Sequence, residues 1–461
     1  MLPLLHLDFE YGTDVATGLP VPICMSARTD EWEQCFALLV DPPKSWPIPI
    51  ENFIVTGWHA WAESQCIEAL GWEQAPFWID PAAEFMVVTN RPKRPSRALY
   101  KAMRHIGIEP PHSDEYKAAM QGLAQNHTEL TDRDVQNLMA YCSSDTWCSL
   151  QLWDWIVKHP FEREDVNSNR LLHALIRGKY SEIMGRAMFH GMPIDFEKAD
   201  YIRENKPDLI SHVTRQAADA YPEIFEGESF NALGFTSYLE RLGVLEGWPT
   251  TLKGKLRTDK ETLRRYADRF PQFRLLAELQ GLRGVLSRYD LEFYGNRART
   301  LPSLFWTVTG RGNPTNTKFL WSLPRVFRGL AKAEPGMKLV VADYKSAEIM
   351  VAACLMQDPK MIAAYLEDDF YIAFGLLTGM TLEEAREARH MLKQAVLGNS
   401  FGQSARGLAK VLGCDQGKAG WLLHILRTAF RQWHLRTRAH LNRVKAGDPI
   451  YTPLGWRLDL G

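Results

Sequence analysis

The stretch Leu339–Ile349, LVVADYKSAEI, sets the tightest condition on how this chain can fold. Leu339, Val340, Val341 and Ala342 form an apolar run with β-branched residues, too short for a helix, which predicts a buried strand. The run breaks at Asp343, and a polar segment carrying Glu348 follows. A carboxylate at the end of a buried strand is held firmly yet opens onto a cleft, which suits a Mg²⁺ ligand. A strand ending in an Asp that caps the next turn fits the same residues.

A chain of 461 residues has room for about three domains of ~150 residues each. It contains no apolar run of about 18 residues, so no membrane span is expected. It opens on LLHLDFE without a basic region and apolar signal segment. The seven cysteines are scattered, odd in number and without CxxC spacing, which fits a reducing compartment rather than a disulfide framework or zinc module. Net charge is -1, but residues 1–160 carry 11 Lys and Arg against 21 Asp and Glu, and the remainder carries +9. An acidic first part joined to a basic second part predicts two tasks, the second attractive to a polyanion.

Leu4–Glu10 reads as a buried strand whose Asp8 and Glu10, at i and i+2, share one face. Such a pair repels itself unless a cation lies between. Phe53–Val55 predicts a further strand and Trp61–Leu70 a helix carrying Glu63. Leu130–Val157 has a strong helical pattern with Thr131 as N-cap and Asp134 three residues on. Leu138, Tyr141, Asp145 and Leu152 then share a face, and an acid there is costly unless paired or metal-bound. The segment Arg91–Arg104 carries six basic residues and reads either as a solvated helix start or as a phosphate-contacting patch.

Asp8 and Glu10 on a first strand, Glu63 in the middle and the helical pair Tyr141 and Asp145 resemble the DEDD-type 3′–5′ exonucleases. The resemblance implies a ribonuclease-H-like fold and two metal ions held by Asp8, Glu10, Glu63 and Asp145. Tyr141 would then orient the attacking water. The cations would clamp the attacking and leaving oxygens of an in-line displacement. In the family's middle motif Asn, Phe and Asp are usual, and this chain has His59, Ala62 and Glu63 there.

Pro160, in KHPFERE, predicts a boundary. Residues 165–300 read as mostly helical, with Leu171–His190 and Lys260–Leu291 the clearest segments. Beyond them come WTVTGR at Trp306–Arg311, then Asp343, then RHMLKQAVLGNSFG at Arg389–Gly402. On a helix Arg389, Lys393, Leu397 and Phe401 follow one face, two cations for phosphates and two apolar groups for a base.

In this order the pieces resemble a family A DNA polymerase, especially its bacteriophage-type branch. The fold class implied is α/β plus α: a ribonuclease-H-like exonuclease domain at 1–160, a helical thumb-like region at 161–300, and partial palm and fingers at 301–461. By resemblance Thr307, Thr309 and Arg311 touch the primer–template minor groove, Asp343 binds metal, and Glu348 excludes a ribose 2′-OH. Arg389 and Lys393 meet the incoming triphosphate, with Leu397 and Phe401 beside them. Lys345, Met350 and Phe401 stand where Ser, Arg and Tyr are common.

The family's His-Asp motif is not met before Gly461, and Asp459 fits a terminal strand or frayed tail, so a fragment or truncated form is expected. The expected cofactor is Mg²⁺, with Mn²⁺ able to serve. Expected partners are DNA primer–template, single-stranded 3′ ends, deoxynucleoside triphosphates and other replication proteins, with no membrane, in the cytoplasm of a bacterial or phage-infected cell. Two other readings fit the same residues: an exonuclease with a degenerate polymerase domain, and a non-catalytic DNA-binding protein.

Overall fold

The computed structural model describes residues 2–458 except 92, 160, 162–163, 268, 301–302, 314–317 and 319. The boundary expected at Pro160 and the tail acid Asp459 lie outside the described residues. The chain divides into two compact units: one runs to Leu339 and includes Leu454–Trp456, the other is Val340–Pro453 with the segment from Arg457.

The first unit begins with a five-stranded sheet: β1 (Leu4–Thr13), β2 (Pro20–Arg28), β3 (Glu33–Ala37), β4 (Ile54–Gly57) and β5 (Trp78–Ile79). The order is β3-β2-β1-β4-β5. The first three strands form an antiparallel meander, and β4 and β5 add in parallel on the other side of β1. Alternation in β1 buries Leu5, Leu7 and Phe9 in one apolar cluster and turns Asp8 and Glu10 to the opposite face. The β1–β2 register shifts between Glu10 and Tyr11, a bulge beside the acids after which pairing resumes through Thr13 and Pro20.

Five helices belong to this sheet: α1 (Ala60–Leu70), α2 (Pro81–Val88), α3 (Leu99–His105), α4 (Asp114–Gln125) and α5 (Asp132–Lys158). The Thr131 capping box with Asp134 is present, and α5 packs on β1 and β2. Its buried face includes Leu138, Tyr141, Asp145 and Leu152.

Next come α6 (Glu164–Ser168), α7 (Arg170–His190), α8 (Phe196–Ala220), α9 (Ala232–Arg241), α10 (Lys260–Ala267) and α11 (Phe273–Ser287). The helical pattern expected across Lys260–Leu291 is thus two helices, because Pro271 removes an amide donor and clashes with a continuing turn. Helix α7 packs against α1 and β5. Its Arg177 makes a buried two-point ion pair with Glu84, Nε to Oε1 at 2.6 Å and Nη2 to Oε2 at 2.8 Å. The third guanidinium nitrogen, Nη1, donates to the Leu454 carbonyl. Phe235, Leu263, Phe273 and Leu276 lie in a separate core of this helical region.

The second unit contains α12 (Ala347–Met356), α13 (Pro359–Leu366), α14 (Phe370–Leu377), α15 (Leu382–Glu387), α16 (Arg389–Ser400), α17 (Ala405–Leu412), α18 (Gln416–Ala429) and α19 (Arg431–Lys445). Phe370 stacks on Phe430 at 5.4 Å inside its core. Asp358 caps α13 and also accepts the Trp433 amide at 3.0 Å, tying α19 to that helix start.

The buried strand expected at Leu339–Ala342 is overturned. These residues are irregular chain without strand pairing, and Val340 and Val341 are 83 % and 80 % exposed. A β-branched run becomes a strand only against a partner backbone and a covering layer, and among the described residues neither lies against it. The boundary between the two units falls inside the run.

Gly178 of α7 sits where an added Cβ would meet the Trp78 carbonyl oxygen at 2.0 Å. Gly178→Val is therefore expected to push α7 off β5 and to cost about 1–3 kcal/mol, read as a lower melting temperature by circular dichroism. An unchanged melting temperature counts against this packing.

Candidate functional site

Asp8 and Glu10 project from β1, and Asp145 projects from α5 across them. One carboxylate oxygen from each lies within 4.8 Å of the others. Glu63 and Tyr141 line the same cavity, which measures about 700 Å³ and is also walled by Trp58, Trp61 and Lys117. Glu63 enters over Gly57, where an added Cβ would meet Glu63 Cγ at 2.4 Å. Thus β4 ends on a residue without a side chain, and α1 swings its first-turn acid towards β1.

The electrostatics follow from crowding in low dielectric. Burial raises the Asp8 carboxyl to about 8, with the charge of Asp145 adding to the effect and the Cys142 thiol opposing it. Burial and then Asp8 push Glu10 well above the carboxylate range, and the same two causes act on Glu63. Burial and Asp145 drive the Tyr141 phenol upward, so its proton is retained. His59 caps α1 in the left-handed region at φ 75°, a strained conformation for a residue with a Cβ. Burial, then Arg97, lowers its imidazole to about 3, so it stays neutral.

Three acceptors stand out. Asp8 Oδ2, Glu63 Oε2 and Asp145 Oδ1 are buried with no hydrogen-bond partner. Leaving buried acceptors unpaired is expensive, and oxygen donors converging from several elements are what a hard divalent cation takes. Asp8, Glu10 and Asp145 therefore fit such an ion, while Glu63 lines the cavity outside their 4.8 Å group. Asp145 Oδ2 is already engaged, accepting from Lys117 Nζ at 2.9 Å. Sequence reasoning did not find Lys117, because a pair 28 positions apart in sequence leaves no local spacing to read.

The other expected site residues fall elsewhere. Thr307–Arg311 is a tight turn in the first unit: the Arg311 amide donates to Thr307 Oγ1 at 2.8 Å, and Gly310 has φ +77°. Trp456 Nε1 and Asn90 Nδ2 both donate to the Val308 carbonyl at 2.8 Å. Of the six basic residues at 91–104, Arg91, Lys93 and Lys101 are exposed, whereas Arg94, Arg97 and Arg104 are engaged within the first unit. Arg94 donates to the Trp306 and Thr307 carbonyls, Arg97 to that of Leu304, and Arg104 pairs with Asp114.

In the second unit Asp343 is exposed, and Glu348 lies in the first turn of α12. Among the described residues Asp343 joins no group of metal-ligating side chains. Arg389 and Lys393 are exposed on one face of α16, their charges 5.4 and 5.9 Å from the Tyr371 ring. Arg389 also pairs with Asp369 at 2.7 Å. Leu397 is half-buried, whereas Phe401 lies past the helix end and is 76 % exposed. The single stripe expected through Phe401 therefore breaks at the last turn, where the backbone leaves helical geometry.

The chain is similar to known proteins. The profile of DNA polymerase family A matches residues 201–458, and the chain belongs to that family. It is 25 % identical over 299 residues to DNA polymerase I of Aquifex aeolicus (strain VF5), covering 62 % of this chain and 51 % of that protein. It is 25 % identical over 337 residues to DNA polymerase I of Chloroflexus aurantiacus (strain ATCC 29366 / DSM 635 / J-10-fl), covering 67 % and 34 %. The chain thus spans about half the length of the first relative and a third of the second. A solved structure described as the POL domain of Pol1 from M. smegmatis in complex with DNA primer-template and dNTP superposes with TM-score 0.68. It shares 15 % identity and covers 99 % of this chain and 77 % of that one. At that identity it shows a shared fold. Among the described residues no helix is long and apolar enough to cross a membrane.

Asp8 titrates near 3.8 when unperturbed and near 8 in the fold. The folded chain therefore binds more protons than the unfolded one between these values, and stability present at the acid end is lost as pH rises through about 8. Metal-free protein is expected to melt progressively lower from about pH 5 to about pH 8.5, with Asp8→Asn flattening the slope. Differential scanning calorimetry in chelator reads it, and equal slopes in both proteins refute the assignment.

Proposed function

We propose that residues 1–160 form a metal-dependent 3′–5′ exonuclease domain with a ribonuclease-H-like fold, carried in one chain with polymerase elements. A thumb-like region would occupy 161–300, and partial palm and fingers 301–461. The observation that carries the exonuclease reading is the convergence of Asp8, Glu10 and Asp145 within 4.8 Å. The meander β3-β2-β1 extended by parallel β4 and β5 supports the fold assignment.

Asp8, Glu10, Glu63 and Asp145 would hold Mg²⁺ or Mn²⁺. Such cations supply charge stabilisation to the oxygens of an in-line phosphodiester displacement. The chain's own residues do the rest. Tyr141 keeps its proton, and its phenol orients the attacking water. Trp61 offers an aromatic face to the terminal base of a single-stranded 3′ end. Neutral His59 adds no charge that would compete with the cations.

For the second unit we propose binding of a deoxynucleoside triphosphate, with Arg389 and Lys393 on its phosphates and Leu397 and Phe401 near its base. Glu348 would exclude the ribose 2′-OH, and Asp343 would serve as a metal ligand. The Thr307, Thr309 and Arg311 turn would meet the primer–template. The bacteriophage-type placement rests on motif residues, and the two relatives named above are bacterial DNA polymerases I. A nuclease-only reading is favoured by one observation: Asp343 is exposed and, among the described residues, joins no carboxylate cluster.

Asp8→Asn is expected to lower Mg²⁺-dependent degradation of a single-stranded 3′ end by at least about 100-fold, beyond the effect of losing an outer-shell partner. Wild-type degradation in that variant refutes the exonuclease. Separately, extension of a primed template that is lost in Asp343→Ala supports polymerisation. Degradation without extension supports the nuclease-only reading.

A further inference from the structure

The acid cluster contains its own cation. Lys117, from α4, reaches Asp145 with Nζ 2.9 Å from Oδ2, and its side chain is only 21 % exposed. The same ammonium lies 4.3 Å from the Tyr100 ring centroid and 5.3 Å from that of Tyr141. It is thus flanked by one carboxylate and two aromatic faces, all surfaces that attract a cation.

Its charge is insufficient for its surroundings. Asp8, Glu10, Glu63 and Asp145 line one cavity with Lys117, and three of the acids keep a buried oxygen with no partner. The one ammonium engages one oxygen, Asp145 Oδ2, and leaves those three oxygens without a partner. A divalent ion that used both oxygens of Asp145 would have to take the position Lys117 holds on Oδ2. Lysine suits such an exchange better than arginine, because its point charge rides on a flexible stem and needs no planar fork of partners. The Tyr100 ring, already 4.3 Å from Nζ, leaves the ammonium a partner once Asp145 is given up.

We propose that Lys117 is the resident counter-ion of the metal-free site and that a divalent cation binds by displacing it from Asp145. Lys117 is then a positioning residue: it holds Asp145 in place while the site is empty and sets a threshold on metal occupancy. This rests on the exonuclease reading of the same cluster.

The test measures Mn²⁺ binding to the full chain by electron paramagnetic resonance, together with melting temperatures in chelator and in saturating Mn²⁺. Lys117→Met preserves the length of the stem and removes the charge. It is expected to bind Mn²⁺ about tenfold more tightly than the wild type and to melt lower in chelator, with the gap closing in Mn²⁺. Lys117→Arg, which restores a cation, is expected to return both readouts most of the way to wild type. Asp8→Asn is the control and is expected to lose the same Mn²⁺ equivalent. Unchanged Mn²⁺ affinity in Lys117→Met, with that equivalent lost in Asp8→Asn, overturns the counter-ion role and leaves the metal site standing. Mn²⁺ binding unaffected by Asp8→Asn overturns the metal site itself, and the proposal with it.

Discussion

Mutual repulsion among Asp8, Glu10 and Asp145 is the constraint around which the first unit is built. Like charges within 4.8 Å at an effective dielectric near 20 cost on the order of 3 kcal/mol per pair. The fold must hold these groups together against that force. It does so with elements whose stability comes from elsewhere: the Leu5, Leu7 and Phe9 side of β1, and the long α5 with its capping box. Lys117 offsets part of the repulsion, and the raised Asp8 carboxyl offsets another part by holding its proton. A site strained in this way is poised for a stronger cation.

The surrounding groups are arranged by the same need. Gly57 lets Glu63 approach, and His59 accepts a left-handed backbone to start α1 where it does. Trp58 Nε1 donates to the Arg97 carbonyl, while the Arg97 guanidinium donates to that of Leu304. Arg94 and Arg97 of the basic segment at 91–104 therefore donate to backbone acceptors in and just before the turn that carries Thr307–Arg311. That turn is fixed from one side by Arg94 and Asn90 and from the other by Trp456, which also stacks on Phe305. Its backbone acceptors are thus engaged by residues of the acidic first part of the chain, Asn90 and Arg94, as well as by Trp456.

The second unit follows another rule. It is helical throughout its core, and its functional candidates lie on exposed faces: Arg389 and Lys393 on α16, Glu348 at the start of α12. Asp369, which caps α14, is also the carboxylate that engages Arg389. An anionic ligand on Arg389 would compete with that pairing, so the fold holds the guanidinium in a defined place beforehand.

Local pattern carried much of this molecule. Alternation in Leu4–Glu10 placed Asp8 and Glu10 on one face, and spacing in Leu130–Val157 placed Tyr141 and Asp145 on another, because periods of 2 and 3.6 residues follow from backbone geometry alone. The order of separated motifs was enough to point to DNA polymerase family A. Partners far apart in sequence were not legible. Lys117 met Asp145, and Arg94 and Arg97 met carbonyls more than two hundred residues away, only once tertiary packing brought them together. The same limit applies to Leu339–Ala342, whose β-branched residues favour a strand locally. A strand also needs a neighbouring backbone to bond and a layer to bury it, and those lie outside any window of sequence.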